Sequence, residues 1–465
     1  MSLPNTHFGA ERIHEMLRGC KKLLFIGVGG VSMASLAELT LMDGYEVVGS
    51  DRVESARLAR LRARGAEIYL GHDAAHTQDV DAAVYTVAIG EENPEYLALL
   101  EAGKPLISRA DYLGYVMARY QTRIGIAGMN GKSTTTAMCG HILRGAGDPT
   151  VFCGAEAESL GGAACLIGRE KQQLVFEACE YKDSFLDFSP NVAVILNVGM
   201  DHVDYFHSLA QIQDSFRNYA ELTLPNGVVI ANADDENTME ALRNYDGNLV
   251  TFGLGERAQF RATEIRSVAG CRRFAFVKDE KKLCEITLKQ CGEYQVYNAL
   301  AAATAAYMCG VDPEIISAQI ATFVGAKRRM EYKGILNGAD VYDDYAHHPS
   351  AIEVALKGAS EMGYRRALCV YQPHTYSRTA GLFDEFASAF DMADHVYFAD
   401  IYAARETNVS GVTSEKLAKA VGDHATYCGD FETVVECLKR DSREGDVILV
   451  MGAGDIDNVF PLLFS

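Results

Sequence analysis

The stretch that decides the fold is RIGIAGMNGKST, residues 123–134, in which an apolar run leads into a glycine turn and a lysine. The run at 123–127 predicts a buried β-strand, and the residues from Lys132 onward predict a helix. Backbone N–H groups in such a turn, together with the helix dipole, attract phosphate groups. The stretch therefore predicts a nucleotide-phosphate loop within an α/β sheet.

Lys132 and Ser133 carry the expected chemistry of this loop, because the lysine reaches the β- and γ-phosphates and the hydroxyl ligates Mg²⁺. Ile126 stands where the longer version of the motif has its first glycine, so the chain contains the shorter GxxGKST form. A glycine-rich turn without a ligand is the alternative. The order of one lysine and two hydroxyls at a helix start argues against it, and binding of ATP or GTP is the main local prediction.

Strand-like and helix-like segments alternate along the whole chain. A helix is predicted over 31–43, and strands are predicted at 45–51, 67–70, 82–87, 173–178 and 191–198. A third segment, which opens with DVYDDYAHHP, contains RALCVYQPHTYSR and closes on DVILVMGAGDID, also alternates strand and helix. Apolar runs of this length between helices predict parallel sheets covered on both faces, which is an α/β fold. Boundaries near Arg109 and Ala326 divide the chain into three predicted domains, at 1–108, 109–325 and 326–465.

The composition excludes several classes of function. The chain has 465 residues and a formal net charge of −20, which disfavours binding to nucleic acid or to anionic lipid. Its twelve cysteines include no CxxC pair, which predicts reduced thiols in a cytoplasmic protein. No secretion signal is predicted, and no apolar run approaches the roughly 18 residues that a membrane-spanning helix needs.

A second glycine turn, at Gly27 to Ser32, follows an earlier strand and opens a helix, and Asp51 closes the next strand. The pattern resembles a dinucleotide fingerprint, in which glycines admit a diphosphate and the acid binds a ribose hydroxyl. Ser32 replaces its third glycine. Since the chain already has an ATP loop, a nucleotide-linked substrate is the expected ligand. An NAD-dependent dehydrogenase and a turn without a ligand are the alternatives for this segment.

An acid and a histidine follow two of the predicted strands after the ATP loop. Glu180 follows QLVFEA and His202 follows NVAVILNV, and ligands of open parallel sheets gather at such carboxyl ends. Glu180 is a candidate ligand of an Mg²⁺ shared with ATP. His202 is a candidate for a second cation or for orienting a substrate carboxylate. A helix cap at Glu180 and an ordinary loop histidine at His202 are the alternatives.

Taken together, the motifs resemble those of the Mur ligases over nearly the whole chain. The matching stretches are LLFIGVGGVSMASLAELTLMDGYEVVGSD, GMNGKST, FEACEYKDSFLDFSPNVAVILNVGMDHVDYF, AKRRMEYKG, VYDDYAHHPSAIEVAL, YQPHTYSRT and DIYAARE. The resemblance implies a Rossmann-like N-terminal domain, a central P-loop ATPase-like domain with a mostly parallel sheet, and a Rossmann-like C-terminal domain. These would bind a UDP-sugar, ATP and an amino acid in that order. It also implies an ATP- and Mg²⁺-dependent ligase of peptidoglycan synthesis that joins L-alanine to UDP-N-acetylmuramic acid through an acyl phosphate.

The resemblance implies roles for individual residues. It places ATP on Gly128, Met129, Asn130, Gly131, Lys132, Ser133, Thr134, Asn298, Arg329 and Asp344. It places the UDP-sugar on Gly27, Gly29, Gly30, Ser32, Asp51 and His202, the amino acid on Tyr345, His347, His374, Tyr376 and Arg378, and Mg²⁺ on Ser133, Glu180 and His202. The implied catalytic residues are Lys132, Arg329, His347 and His374. The two histidines are equal candidates to accept the proton of the attacking amine. For Asn298, a simple helix cap is the alternative.

The chain departs from the family pattern at four positions, namely Met129, Asn130, Cys179 and Tyr297. Two alternative functions are left open: a related ligase that adds a peptide or another amino acid to the same UDP-sugar, and a non-catalytic nucleotide-binding homologue. The stretches YQPHTYSRT and DIYAARE favour the alanine-adding enzyme. A homodimer is among the assemblies that the sequence leaves open.

Overall fold

The computed structural model describes residues 3–202, 205–268, 271–290, 292–404 and 406–465. Val203 and Asp204 of NVGMDHVDYF and Arg405 of DIYAARE lie outside the described residues. Contacts divide the chain into two compact units. The first comprises 1–200, 208–260 and 301–316, and the second comprises 201–207, 261–300 and 317–465.

The strands of the described residues are β1 (Lys22–Ile26), β2 (Glu46–Asp51), β3 (Glu67–Leu70), β4 (Ala82–Tyr85), β5 (Leu106–Ser108), β6 (Thr122–Ala127), β7 (Thr150–Ala157), β8 (Ala163–Leu166), β9 (Gln173–Glu177), β10 (Val192–Ile195), β11 (Val228–Asn232), β12 (Leu249–Gly253), β13 (Phe260–Val268), β14 (Cys271–Lys278), β15 (Lys281–Leu288), β16 (Glu331–Leu336), β17 (Ala339–Asp344), β18 (Arg366–Tyr371), β19 (His395–Ala399), β20 (Ala425–Gly429) and β21 (Asp446–Met451).

The helices are α1 (Ala10–Met16), α2 (Val31–Met42), α3 (Ala56–Ala63), α4 (Pro94–Glu101), α5 (Arg109–Met117), α6 (Lys132–Arg144), α7 (Leu209–Glu221), α8 (Glu236–Ala241), α9 (Glu293–Met308), α10 (Pro313–Thr322), α11 (Pro349–Ser360), α12 (Tyr376–Gly381), α13 (Phe383–Ser388), α14 (Ser414–Val421), α15 (Phe431–Asp441) and α16 (Val459–Leu463). Short 3₁₀ helices lie at Ala74–Thr77, Glu158–Leu160, Tyr181–Asp187 and Ile456–Asn458. Across the described ranges, no helix is both long enough and apolar enough to cross a lipid bilayer.

The first unit begins with a five-stranded sheet in the order β3-β2-β1-β4-β5, in which every neighbouring pair is parallel. Parallel strands joined by helices form the Rossmann-like arrangement that the sequence predicted. The predicted strand at 82–87 ends earlier than expected, at Tyr85, because a turn follows in which the N–H of Ile89 donates to the carbonyl oxygen of Thr86 (3.2 Å).

Seven further strands of the first unit lie in the order β12-β11-β10-β6-β9-β7-β8. The neighbours are parallel except for β7 and β8, which are antiparallel. Strand β6 has β10 on one side and β9 on the other. The segments that follow these three strands therefore lie side by side at the carboxyl edge of a mostly parallel sheet, as predicted.

The second unit contains a six-stranded sheet in the order β16-β17-β21-β18-β19-β20, parallel except for the β16–β17 pair. Strand β21 shows why its sequence is an unbroken apolar run. Leu449 packs into one buried cluster with Leu356 of α11, and Ile448 packs into another with Leu438 of α15. Helices thus cover both faces of the sheet, and neither face needs polar side chains.

Candidate active site

The phosphate loop at 128–134 connects β6 to α6. Gly131 immediately precedes α6 with a φ of 88°, and Gly128 has a φ of 143°, both in the region that favours glycine. A Cβ atom on Gly128 would lie 2.9 Å from the Cβ of Leu196. The two glycines allow the loop to turn closely against the end of β10, and the predicted order of strand, turn and helix is confirmed.

Asn197, just beyond β10, holds this loop through the main chain of Asn130. Its Oδ1 accepts a hydrogen bond from the N–H of Asn130 (2.8 Å), and its Nδ2 donates to the carbonyl oxygen of the same residue (3.0 Å). The N–H of Met129 donates to the carbonyl oxygen of Asn197 (3.1 Å). Because these bonds use only the backbone of residues 129 and 130, the departures from the family pattern there leave the path of the loop intact.

Lys132 forms a buried ion pair with Glu180. Its Nζ lies 3.0 Å from each carboxylate oxygen of Glu180 and also donates to the carbonyl oxygen of Met129 (3.3 Å). The lysine side chain is 15% exposed and that of Glu180 is 3% exposed. Burial by itself lowers the pKa of Lys132, but the charge and hydrogen bonds of Glu180 outweigh burial, so the pKa lies above its ordinary value. Lys132 is therefore a fixed positive charge beside the loop.

The side chain of Glu180 makes no capping hydrogen bond, although Glu180 directly precedes the 3₁₀ helix at Tyr181–Asp187. The helix-cap alternative is therefore wrong. Ser133, the second residue of α6, is buried beside the loop. A hydroxyl and one or two carboxylates are the ligands that Mg²⁺ takes together with phosphate oxygens. Ser133 and Glu180 supply these two ligand types within the first unit.

The first glycine turn is tied to the end of β2. The N–H groups of Gly27 and Val28 both donate to the carbonyl oxygen of Ser50 (2.8 and 3.0 Å). Oδ2 of Asp51 accepts a hydrogen bond from the N–H of Gly29 (2.8 Å), and its Oδ1 accepts one from the N–H of Val53 (3.3 Å). Both carboxylate oxygens of Asp51 thus fix the turn. Contact of Asp51 with a ribose hydroxyl stays a prediction.

Asn298 lies in the second turn of α9, which begins at Glu293, so it does not cap that helix. It is buried, and its Nδ2 donates to Oε1 of Gln295 (3.1 Å). The alternative of a capping asparagine is wrong. Contact with adenine stays a prediction.

In the second unit, three of the predicted site residues meet at the end of β17. The guanidinium carbon of Arg329 lies 5.2 Å from the ring centre of Tyr345, within the range of a cation–π interaction. Asp344 accepts a hydrogen bond from the N–H of Met330 (2.8 Å). Burial raises the pKa of Asp344, against the positive charge of Arg329. The arginine side chain is thus packed beside a tyrosine and an acid and is not part of a fully solvated turn.

His347 and His374 lie close together, with ring centres 6.0 Å apart, but their protons are placed differently. Nδ1 of His347 lies 2.8 Å from the carbonyl oxygen of Tyr345, which can only accept, so in the neutral ring Nδ1 carries the proton and Nε2 has a lone pair. Nδ1 of His374 lies 3.3 Å from Nη1 of Arg378, which can only donate. In neutral His374 the proton is therefore on Nε2.

Both histidines are neutral at pH 7. Burial, followed by the positive charge of Arg378, lowers the pKa of His347 to about 3 and that of His374 to about 4. A carboxylate bound to Arg378 would offset part of that charge and raise both pKa values.

Tyr376 and His202 are the other two predicted residues of the second unit. Tyr376 begins α12, and in the part of the chain that the structure describes it makes no hydrogen bond or ring contact with either histidine. His202 has a φ of 51°, and its N–H donates to Oδ1 of Asp201 (2.6 Å). Its Nε2 lies 3.9 Å from Oδ2 of the same acid. The roles of Tyr376 and His202 stay predictions.

The sequence prediction missed two polar groups near the first glycine turn. Nη1 of Arg109, treated above as a domain boundary, donates to Oγ of Ser32 (3.2 Å). Glu95 is fully buried and accepts hydrogen bonds from Oγ of Ser50 (2.6 Å), while Nδ1 of His72 and of His76 lie 2.8 and 2.7 Å from its oxygens. Arg109 directly follows β5 and His72 comes shortly after β3. Attention to the carboxyl ends of these strands would have found both.

The chain matches three family models one after another. They are described as Mur ligase family, catalytic domain (residues 22–121), Mur ligase middle domain (126–306) and Mur ligase, glutamate ligase domain (328–454). Together they span most of the 465 residues.

Individual relatives are similar over almost the full length. A UDP-N-acetylmuramate–L-alanine ligase from Caldanaerobacter subterraneus subsp. tengcongensis is 42% identical over 444 residues, which is 94% of this chain and 96% of that protein. The crystal structure of a UDP-N-acetylmuramate–alanine ligase from Thermotoga maritima has a TM-score of 0.79 and 28% identity, covering 95% of this chain and 98% of that one. A murein peptide ligase from Psychrobacter arcticus has a TM-score of 0.72 and 24% identity with the same coverage, and at that identity the likeness concerns the fold alone.

Proposed function

This chain belongs to the Mur ligase family, and from that premise we propose that it joins L-alanine to the carboxylate of UDP-N-acetylmuramate, converting ATP to ADP and phosphate. The observation that carries the proposal is the 42% identity with an L-alanine-adding ligase over 94% of the chain. Because the reaction consumes ATP and a UDP-sugar, we also propose a cytoplasmic location.

The surroundings of Lys132 support the ATP-dependent first step. A carboxylate oxygen of the UDP-sugar attacks the γ-phosphorus, the bond to ADP breaks, and an acyl phosphate forms. Lys132 would exchange Glu180 for phosphate oxygens and would place its positive charge at the transferring group. The exchange would free the Glu180 carboxylate, and we propose that Glu180 and the hydroxyl of Ser133 would hold Mg²⁺. Mg²⁺ would withdraw negative charge from the phosphates.

In the second step, the amine of L-alanine attacks the acyl carbon, and the tetrahedral intermediate expels phosphate. The nitrogen must then lose a proton. We assign the acceptor to Nε2 of His347, because its Nδ1 is already occupied by the hydrogen bond to Tyr345. His374, with its proton on Nε2, would donate a hydrogen bond instead. Arg378 would bind the carboxylate of L-alanine and so raise the pKa of His347 towards the range in which a base is effective.

The function is tested by phosphate release from ATP with purified protein, Mg²⁺ and UDP-N-acetylmuramate. L-Alanine, glycine, L-serine and a tripeptide are supplied one at a time as the amine. We expect release to require both the UDP-sugar and the amine, to be fastest with L-alanine, and to stop on addition of EDTA. Release with the tripeptide but not with L-alanine would favour a peptide-adding ligase. ATP binding without release in any mixture would favour a non-catalytic homologue.

A further inference from the structure

Thr375 has a strained backbone next to one of the two candidate histidines. Its φ is 68° and its ψ is 145°, a combination that glycine adopts freely and that is costly for any residue with a Cβ atom. The cost is larger for threonine because its side chain branches at that atom. Thr375 is also the single residue between His374 and Tyr376, where α12 begins. Its backbone angles therefore set the direction of α12 relative to His374.

Hydrogen bonds on both sides of Thr375 hold this conformation. The N–H of Thr375 donates to the carbonyl oxygen of Tyr402 (2.9 Å), and the N–H of Tyr402 donates to the carbonyl oxygen of Pro373 (2.9 Å). The carbonyl oxygen of Thr375 accepts hydrogen bonds from the N–H and from Oγ1 of Thr379 (3.2 and 2.8 Å), which is fully buried. A strained residue persists where its surroundings determine its conformation in this way, and such residues cluster at functional sites.

The side chain of Tyr402 supports the same stretch of chain. Its ring stacks on that of His374, with ring centres 5.6 Å apart and an angle of 21° between the planes. A Cβ atom on Gly454 would lie 2.6 Å from Cγ of Tyr402, so glycine at that position leaves room for the ring. Glu406 accepts hydrogen bonds from the N–H (2.8 Å) and from Oγ of Ser377. Tyr402 and Glu406 thus hold the chain before and after the strained residue.

We propose that Thr375 and Tyr402 are positioning residues that fix the amino-acid site. Thr375 directs α12 so that Nη1 of Arg378 lies 3.3 Å from Nδ1 of His374. Relaxation of Thr375 to a negative φ would rotate the peptide between these two side chains and separate them, while the stack with Tyr402 keeps the histidine ring in place. Both residues act on L-alanine through His374 and Arg378. The inference deepens the proposed function and rests on it for the identity of the amino acid.

The test compares Thr375→Gly, which removes the strain, with Thr375→Ala, which keeps the Cβ atom that causes it. The kcat and KM for L-alanine, the KM for ATP and the melting temperature are measured for the full-length protein. We expect Thr375→Gly to lower kcat/KM for L-alanine at least about tenfold, because a misplacement of about 1 Å at a reacting group can cost about 100-fold. The KM for ATP should be unchanged. Thr375→Ala should stay closer to the wild type than Thr375→Gly.

The melting temperature separates a positioning role from a purely structural one. Relief of the strain should raise the melting temperature of Thr375→Gly by about 3 °C, because strain of this kind outweighs the extra freedom that glycine has in the unfolded chain. A purely structural residue would lose stability and activity together. Asp279→Gly is the matched control, since Asp279 also has a positive φ (44°) and lies exposed in the turn between β14 and β15. That variant should leave the kinetic constants unchanged.

The ring of Tyr402 is tested separately. Tyr402→Phe keeps an aromatic ring on His374 and should retain most of the kcat/KM for L-alanine. Tyr402→Leu removes the stack and should lower kcat/KM by a factor similar to that of Thr375→Gly. Recovery by the conservative variant assigns the effect to the ring and not to the hydroxyl group of the tyrosine.

Several results would overturn the inference. These are a wild-type kcat/KM for L-alanine in Thr375→Gly, an equal loss in Thr375→Ala, equal activity of Tyr402→Leu and Tyr402→Phe, or a lower melting temperature of Thr375→Gly together with a higher KM for ATP. Failure of the proposed function looks different, because the wild type itself would then release no phosphate with UDP-N-acetylmuramate and L-alanine. In that case the same variants are compared with the amine that the wild type accepts.

Discussion

The ion pair between Lys132 and Glu180 allows the stability of the phosphate loop to be separated from its catalytic role. Lys132→Met removes the ammonium group and leaves the Glu180 carboxylate, which is 3% exposed, without that positive charge. Glu180→Gln removes the negative charge and keeps the shape. The double variant Lys132→Met/Glu180→Gln removes both charges and leaves an interior with no ionised group at this position.

The magnitude follows from burial and distance. Both carboxylate oxygens lie 3.0 Å from Nζ, and each side chain is far less than one third exposed, so solvent screens the pair weakly. Breaking such a pair from one side costs about 3–5 kcal/mol. At about 2–4 °C per kcal/mol for a domain of this size, Lys132→Met should melt on the order of 10 °C below the wild type. The double variant should recover most of that loss.

Catalysis should respond differently from stability. Loss of Lys132 removes a positioned charge from the phosphoryl transfer, so kcat should fall at least about 100-fold in Lys132→Met. The double variant should be no more active, because restoring stability does not restore the charge. Phosphate release with UDP-N-acetylmuramate and L-alanine measures this part of the prediction.

The chain has no tryptophan, so thermal unfolding is best followed by far-ultraviolet circular dichroism. Lys419 and Glu415 form a matched control pair of the same residue types on α14, with side chains 73% and 55% exposed. The corresponding variants of that pair should leave the melting temperature unchanged. If Lys132→Met/Glu180→Gln melts as low as Lys132→Met, attraction between the two charges does not stabilise the loop, and the reasoning is refuted.

Two further predictions concern the second unit. His347→Gln should lower kcat about 100-fold with little change in the KM for ATP, whereas His374→Gln should mainly raise the KM for L-alanine; equal losses of kcat in steady-state assays would contradict the assignment of the base. Burial raises the pKa of Asp343 to about 7, whereas the pKa of an aspartate in the unfolded chain is about 3.9. The folded protein therefore binds this proton more tightly, and the resulting stability is complete below about pH 4 and is lost as the pH rises to 7. The melting temperature of Asp343→Asn relative to the wild type should therefore rise between pH 5 and pH 8, and a constant difference would count against the shifted pKa.

The parts of the fold that the sequence predicted well are those in which both faces of a strand are buried. Strand β21 is fully apolar apart from its first residue because helices cover it on both sides, and strand β6 reads the same way for most of its length. The antiparallel pairs β7–β8 and β14–β15 were not predicted. Their residues are less uniformly apolar, and their pairing depends on partner strands, which a local pattern does not specify.

For the candidate site, the sequence predicted which segments come together but not how their side chains pair. The rule for carboxyl ends of parallel strands brought the segments of Lys132 and Glu180 to one edge, although the residues are 48 positions apart. The same rule did not show whether the carboxylate of Glu180 caps the helix that follows or pairs with Lys132. Both roles place the glutamate at the same position after the strand, and only the direction of its side chain differs. His347 and His374 were likewise equivalent in the sequence. The structure distinguishes them, because Nδ1 of His347 faces a backbone carbonyl oxygen and Nδ1 of His374 faces a guanidinium group.

The sequence does not show which arginines near the first glycine turn are paired with a carboxylate, and Arg109 is the clearest example. Several arginines surround the first glycine turn, and each contributes the same charge to the total for the chain. Whether an arginine is paired with an acid depends on whether a carboxylate lies near its guanidinium, and that is a property of the folded chain. Arg60 and Arg64 share Glu38, whereas Arg109 meets a neutral thiol and an acid whose pKa is raised. The counter-charge of each arginine is therefore set by the tertiary structure and cannot be predicted from the local sequence.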